Sequence, residues 1–205
     1  DLAINLHHLP AAVMDYFGDG SRWGVKLRYS VEERLLGSAG GVKRLQSFFD
    51  ETFLVYYGDV FTWADLRPMI ALHRQSEVLA TMGLYRVSDP WNRGIARLDD
   101  TQALVEFVEK PPRDQVFSNL ANAGIYVLEP EVLDQIPAGQ AWDFGRDVFP
   151  GILAEGIRTA GYVIEDPVID IGLPVKYEEA NLIASMKMSL HGVFPNTLTT
   201  MGVTS

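Results

Sequence analysis

Apolar and polar residues follow two alternating periods along this chain. Stretches with a period of two, or short continuous apolar runs, predict strands, and stretches with a period near 3.6 predict helices. Because the two kinds alternate, the pattern predicts an α/β fold with a Rossmann-like, mostly parallel sheet flanked by helices. The predicted strands are 2–9, 25–30, 53–57, 78–87, 122–130 and 159–165. The predicted helices are 10–18, 42–49, 66–73, 143–156 and 174–188.

Two local patterns refine this prediction. Residues 53–57, "FLVYY", form a continuous apolar run of the kind expected for a strand covered on both faces, and they lead straight to Gly58 and Asp59. Residues 94–110 predict a hairpin whose turn is the polar stretch 99–102.

Composition narrows the class of protein. The 205 residues are 47% hydrophobic and 21% charged, which suits one domain with a substantial core. No apolar run approaches the ~20 residues that cross a bilayer, and no leader is visible, so we expect no membrane partner. The net charge of −10 argues against nucleic acid. We expect the domain at 1–190 and a C-terminal tail at 191–205.

Cysteine is absent, which excludes disulfides and thiolate sites and is compatible with a reducing cytoplasm. His7 and His8 are adjacent, so on a strand they diverge, and His73 and His191 offer no zinc-ligand spacing. Neither G-x-G-x-x-G nor G-x-x-x-x-G-K-[ST] occurs in the chain.

Asp59 is the first candidate for chemistry. Ligands of open α/β sheets bind beyond the carboxyl ends of strands, where Asp59 follows a predicted strand. A carboxylate there can hold Mg²⁺ together with phosphate oxygens and water. The alternative is that Asp59 caps a helix beginning at Trp63, and the two readings are about equally supported.

Asp170, in "VIDIGLP", repeats this arrangement at the end of a second apolar stretch. The two aspartates could share one cation. Taken alone, Asp170 is more simply a helix cap or a loop carboxylate.

Glu109 and Lys110 end the second strand of the predicted hairpin, before two prolines. Adjacent strand residues point to opposite faces, so both reach one ligand only if the strand ends there. Lys110 could then meet a phosphate while Glu109 accepts hydrogen bonds from hydroxyls. The simpler alternative is a solvated charge pair. The glycine-rich stretch 35–41 offers a helix N-terminus for an anion or a flat base, although such starts are common.

Seven segments in this order resemble the sugar-1-phosphate nucleotidyltransferases, and most nearly their mannose-1-phosphate guanylyltransferase-like branch. The resemblance covers residues 2 to about 183. The segments are "INLHHLP", "GVKLRYSVEERLLGSAGGVK", "FLVYYGDV", "FVEKPP", "SNLANAGIYVLEPEVL", "DFGRDVFP" and "DIGLP…YEEAN".

The resemblance implies transfer of a nucleotidyl group from a nucleoside triphosphate to a sugar 1-phosphate, with release of pyrophosphate. This chemistry depends on positioning and charge neutralisation. The implied Mg²⁺ ligands are Asp59 and Asp170, and Asp59 and Lys110 are the implied catalytic residues. The implied substrate contacts are Gly94, Glu109, Lys110 and Asn122 for the sugar phosphate, and Gly37, Ser38, Ala39 and Gly40 near the nucleobase.

The chain departs from the family pattern at its start. The glycine-rich loop with its arginine, a following lysine, and the first strand and helix all precede "INLHHLP" in the family. We therefore expect a fold that is N-terminally incomplete, with two open strand edges that a swapped strand or a strand-supplying partner chain would fill. A homo-oligomer is also compatible with the sequence.

Two other functions stay open on the sequence. A non-catalytic homologue could bind a nucleotide-sugar or a catalytic partner subunit, although it would not need two metal ligands. A metal-dependent glycosyltransferase would ordinarily carry Asp-x-Asp, which "GDVFT" lacks.

Overall fold

The structure, a computed structural model, describes residues 1–191, with side chains described as far as Lys187. Helices pack around a sheet, and the α/β class is confirmed. The strands are β1 (Leu2–Leu6), β2 (Leu27–Val31), β3 (Phe53–Tyr56), β4 (Val60–Thr62), β5 (Ala80–Arg86), β6 (Gly94–Leu98), β7 (Leu104–Glu109), β8 (Leu120–Leu128), β9 (Thr159–Val163) and β10 (Val168–Asp170). The helices are α1 (Pro10–Phe17), α2 (Gly37–Arg44), α3 (Arg67–Ser76), α4 (Phe149–Ala154) and α5 (Pro174–His191).

The main sheet has the strand order β7-β6-β8-β5-β9, and β3 also pairs with β8. It is mixed, where the sequence predicted a mostly parallel sheet. The reason is β8, which lies centrally and runs antiparallel to β3, β5 and β6, while β5 and β9 are parallel.

Two smaller pairings lie outside this sheet. Strands β1 and β2 are parallel and are joined through α1, as in a β-α-β unit. Strands β4 and β10 are antiparallel, and they join parts of the chain more than a hundred residues apart.

The core forms on both faces of β8, because successive strand residues point to opposite sides. Tyr126 and Leu128 pack into one apolar cluster with Phe144 and Phe149 of the α4 region. Ile125 and Val127 pack into a second cluster on the other face. A strand covered on both sides is expected to be continuously apolar, and the second half of β8, residues 125–128, is.

Strand β3 does not match its prediction. Its residues alternate between half-buried and exposed, and Leu54 and Tyr56 keep 42% and 40% of their surface exposed. The expectation of a strand covered on both faces is therefore wrong for the described residues. The paired edge of β3 meets β8, and its other edge opens into a cleft.

One helix prediction changed. Helix α2 begins within the glycines, at Gly37, rather than after them, and it ends at Arg44 before a short 3₁₀ turn. The helix predicted at 66–73 is confirmed as α3, and the segment between Asp59 and this helix forms β4. The hairpin at 94–110 is confirmed as β6 and β7.

Helix α5 extends to His191, and residues 192–205 of the predicted tail lie outside the described residues. Among the helices of the described part, none has the length and apolar character required to cross a membrane.

Candidate active site

Asp59 and Asp170 lie side by side because β4 pairs with β10. Asp170 is the register partner of Val60, the residue after Asp59, and the Ile171 N–H donates to the Asp59 carbonyl at 2.7 Å. Both aspartates are exposed. The pairing thus makes backbone neighbours of two aspartates that lie more than a hundred residues apart in the sequence.

The helix-cap alternative for Asp59 is wrong, since α3 begins eight residues later and Asp65 is the carboxylate that accepts from its Arg67 N–H. The loop alternative for Asp170 is partly correct. One of its carboxylate oxygens accepts the Gly172 N–H at 2.9 Å, which orients the side chain in the turn after β10.

Glu109 lies in a tight pocket made by two glycines. Gly94 is its register partner in the hairpin, and a methyl group at Gly94 would overlap the Glu109 carboxylate and the Phe107 ring. A methyl group at Gly145 would also meet this carboxylate. Burial raises the pKa of Glu109, while the cations Lys110 and Arg146 oppose that rise.

Lys110 is placed by an unusual backbone conformation. Its φ of +49° lies in the left-handed region, which costs energy for a residue with a side chain. Strand β7 ends at Glu109, so the strict alternation of faces ends there as well. Glu109, Lys110, Gly145 and Arg146 line one cleft of about 510 Å³. The sequence analysis required the strand to end at Glu109 and Lys110 for both side chains to reach one ligand. The strand does end there.

Asn122 faces a chain of buried hydroxyls. Its amide nitrogen donates to the Tyr126 hydroxyl at 2.8 Å, and its oxygen accepts the Gly124 N–H at 2.9 Å. Tyr126 in turn donates to Tyr57 at 3.4 Å. Burial raises the pKa of Tyr57 to about 12 and holds that of Tyr126 well above its usual range, so both phenols are neutral at physiological pH.

The N-terminus of α2 is closed rather than open to an anion. The Ala39 and Gly40 N–H groups both donate to the Trp142 carbonyl, at 2.9 and 3.1 Å. Ala39 and Gly40 are buried, and a side chain at Gly37 or Gly40 would collide with the backbone of residues 140–142. These glycines therefore permit close packing of α2, and Ser38 is the member of this group that presents a polar side chain.

Ser38 connects this helix to the rest of the site through Asp143. Its hydroxyl donates to one Asp143 oxygen at 2.7 Å, and the other oxygen accepts the Gly145 and Arg146 N–H groups at 2.9 and 3.2 Å. Asp143 is thus the N-cap of the helical turn that leads into α4.

The predicted residues consequently do not form one site. Glu109 and Lys110 line one cleft, with Gly94 packed against the Glu109 carboxylate. Asn122 and Ser38 border the neighbouring network of hydroxyls. Asp59 and Asp170 form a separate pair. Ala39 and Gly40 are packing residues in this structure.

Sequence reasoning did not identify Tyr57, Asp143 and Arg146. An Asp at the start of a predicted helix is a cap signal, which could have identified Asp143. No local signal marks the other two.

Comparisons with known proteins show which family the chain is similar to. A family model described as nucleotidyl transferase matches residues 1–186. A UTP–glucose-1-phosphate uridylyltransferase of Synechocystis is 36% identical over 87% of this chain and 50% of its own length. A mannose-1-phosphate guanylyltransferase of Mycobacterium tuberculosis is 38% identical over 83% of this chain and 48% of its own length. The chain therefore spans about half the length of these curated relatives.

Solved structures support the fold. A Bacillus anthracis protein assigned as a glucose-1-phosphate thymidylyltransferase, crystallised with sucrose, gives a TM-score of 0.79 at 24% identity, covering 90% of this chain and 76% of its own. HddC from Yersinia pseudotuberculosis gives 0.73 at 20% identity, covering 89% and 77%. With a family model that matches nearly its whole length, this chain belongs to the nucleotidyl transferase family.

Proposed function

We propose that this chain takes part in transferring a nucleotidyl group from a nucleoside triphosphate to a sugar 1-phosphate, releasing pyrophosphate. The observation that carries the proposal is the pairing of β4 with β10, which sets Asp59 beside Asp170. A non-catalytic binding protein has no need of two exposed carboxylates at adjoining strand ends, so the pair favours the enzyme over that alternative.

The donor set suits Mg²⁺ delivered with a triphosphate. Mg²⁺ takes one or two protein carboxylates and completes its shell with phosphate oxygens and water. The described residues hold no group of three or more His, Cys, Asp or Glu that could form a self-sufficient metal site. When bound, the ion would neutralise charge on the phosphates during transfer. Asp59 and Asp170 would hold it, and one Asp170 oxygen is already oriented by Gly172.

The sugar 1-phosphate is proposed to bind in the cleft of Glu109 and Lys110. The partly buried Glu109 would accept hydrogen bonds from sugar hydroxyls, with Gly94 and Gly145 leaving room beside its carboxylate. Lys110 would meet the phosphate as a point charge. Asn122 would contact the sugar from the hydroxyl network, and Gly37 to Gly40 would lie near the nucleobase, with Ser38 as their polar member.

We infer that the product is GDP-mannose. The support is the guanylyltransferase-like series of segments and the 38% identity to the M. tuberculosis protein of that name. Relatives named for uridylyl and adenylyl transfer to glucose 1-phosphate also match the chain, so the assay must compare bases and sugars. A cytoplasmic location stays a prediction that rests on the absence of cysteine.

The test is pyrophosphate release with Mg²⁺, each of the four nucleoside triphosphates, and mannose or glucose 1-phosphate. We expect release with GTP and mannose 1-phosphate, reduced at least about a hundredfold by Asp59→Asn or Asp170→Asn. Asp65→Asn is the matched control, because Asp65 is an exposed carboxylate on the same segment that pairs with Arg67. Release that survives both site variants would refute the proposed roles of these aspartates.

A further inference from the structure

The cleft that holds Glu109 contains a second cation, Arg146. This cleft measures about 510 Å³, and both Lys110 and Arg146 line it. Arg146 belongs to the helical turn Phe144–Val148, whose N-cap is Asp143. The Asp143 carboxylate accepts the Arg146 N–H at 3.2 Å, which fixes the backbone of Arg146, while the residue as a whole is exposed. The fold therefore supplies this cleft with an arginine as well as a lysine.

The guanidinium of Arg146 is unpartnered. Among residues 1–187, whose side chains the structure describes, it makes no hydrogen bond or ion pair with a protein group. Other exposed arginines do pair, since Arg67 lies against Asp65 and Arg97 against Glu106. A guanidinium carries five N–H donors in a planar fork. In the described part of the chain these donors have no acceptor, so they can bind an anion that enters the cleft.

Glu109 does not pair with Arg146, although the two are close enough for the charges to interact. Burial raises the pKa of Glu109, and the positive charges of Lys110 and Arg146 both oppose that rise. The Glu109 carboxylate packs against Gly145, where a methyl group would lie 2.6 Å from one of its oxygens. Arg146 extends from the next residue of the turn, and adjacent residues of a helical turn point in different directions. The two cations thus lie near the carboxylate without forming an ion pair with it.

This arrangement suits a ligand with an anionic end and an end that carries hydroxyl groups. The charged residues that line the cleft are one carboxylate and two cations, so it is locally positive in a chain whose net charge is −10. A phosphate monoester carries nearly two negative charges at neutral pH. A guanidinium can donate to two phosphate oxygens at once, whereas an ammonium acts as a point charge. The carboxylate of Glu109 then remains available to hydroxyl groups.

We propose that Arg146 binds the phosphate of the sugar 1-phosphate together with Lys110, through two parallel N–H···O bonds. Arg146 thereby selects a phosphorylated sugar, and it holds the phosphate while Glu109 holds the hydroxyl groups. It takes part in binding and exchanges no proton with the substrate. This inference rests on the proposed function, because it assigns a further residue to the same substrate.

Calorimetry of the 205-residue chain with mannose 1-phosphate and glucose 1-phosphate tests this inference. The titrations contain Mg²⁺ and are made with and without a non-hydrolysable GTP analogue. We expect Arg146→Gln to weaken binding of the preferred sugar phosphate at least about tenfold. Arg146→Lys keeps the charge but loses the fork, so it should bind about threefold more weakly than the wild type. Arg74→Gln is the matched control, because Arg74 is an exposed arginine of α3 that lines a different cleft.

Three further measurements separate phosphate binding from a structural effect. The urea midpoint of Arg146→Gln should equal that of the wild type, because the side chain is exposed and has no described partner. Inorganic pyrophosphate, the other phosphate compound of the proposed reaction, should bind equally to both proteins. In turnover, the KM for the sugar phosphate should rise in Arg146→Gln, and the KM for GTP should not change.

Equal binding of the sugar phosphate by the wild type and Arg146→Gln would overturn this inference and leave the proposed function standing. A loss confined to pyrophosphate would also overturn it, since Arg146 would then serve the leaving group. A lowered urea midpoint in Arg146→Gln, with all ligands weakened alike, would assign Arg146 a structural role instead. A wild-type chain that binds neither sugar phosphate under either condition would overturn the proposed function, and this inference with it.

Discussion

Replacing Asp143 by Ala tests whether the cap of the α4 region holds the candidate site together. The Asp143 carboxylate accepts three hydrogen bonds, from the Ser38 hydroxyl and from the Gly145 and Arg146 amides. Loss of an N-cap costs about 1 kcal/mol. Loss of the charged hydrogen bond from Ser38 adds about 1–2 kcal/mol, so the expected total is about 2–3 kcal/mol.

Urea denaturation measures this loss. With a slope of about 2 kcal/mol per molar urea, the midpoint should fall by about 1 M or slightly more. Asp143→Asn keeps one acceptor oxygen and should lose about 1 kcal/mol. Asp114→Ala, at an exposed carboxylate outside the site, is the control and should stay within about 0.5 kcal/mol of the wild type.

A double-mutant cycle isolates the link between α2 and the cap. Ser38→Ala and Asp143→Ala remove the same hydrogen bond, so their combined loss should fall short of the sum by about 1 kcal/mol. Strict additivity, or an Asp143→Ala variant as stable as the control, would refute the role assigned to this contact.

Three further predictions concern the sugar pocket. Gly94→Ala should displace the Glu109 carboxylate and weaken mannose 1-phosphate binding about tenfold or more by calorimetry, whereas Gly151→Ala, where a methyl group meets nothing within 4 Å, should leave it unchanged. Because the folded-state pKa of Glu109 is raised, its ionisation opposes folding. Glu109→Gln should therefore gain stability relative to the wild type as pH rises through that raised pKa, and this gain should vanish below the usual glutamate range. Urea midpoints at pH 4 to 8 measure the difference in stability. A difference that does not depend on pH would contradict this prediction. Tyr126→Phe should cost about 1–2 kcal/mol in the same urea assay, because the Asn122 amide loses its partner, and a neutral result would show that this hydrogen bond is dispensable.

The elements that sequence predicted best are those whose own residues carry the signal. The second half of β8, residues 125–128, is continuously apolar because both faces are covered. The β6–β7 hairpin is marked by its polar turn, where Asp99 accepts from Thr101 and Ala103. Pro10 and Gly18 likewise bracket α1. In each case local propensity and tertiary packing favour the same structure.

The elements that sequence missed depend on distant partners. Strands β4 and β10 have three residues each, too few for a periodic signal, and they exist because they pair with each other. Helix α2 begins in glycines, which are poor helix formers, because the backbone of Trp142 approaches too closely for side chains.

The same contrast applies to the site. Asp59, Asp170, Glu109 and Lys110 could be proposed from sequence, since each charged residue follows an apolar strand pattern. Tyr57 could not, because it ends an apolar run and reads as a core residue. Its function in the hydroxyl network depends on Tyr126, which lies far away in the sequence.

The central claim is that Asp59 and Asp170 together hold the metal of a bound nucleotide. Amide NMR of the 205-residue chain with Mn²⁺ and a non-hydrolysable GTP analogue tests it without requiring turnover. We predict paramagnetic broadening centred on residues 58–60 and 170–172, lost in Asp59→Asn and retained in Asp65→Asn. Broadening elsewhere, or broadening that persists in Asp59→Asn, would contradict the account.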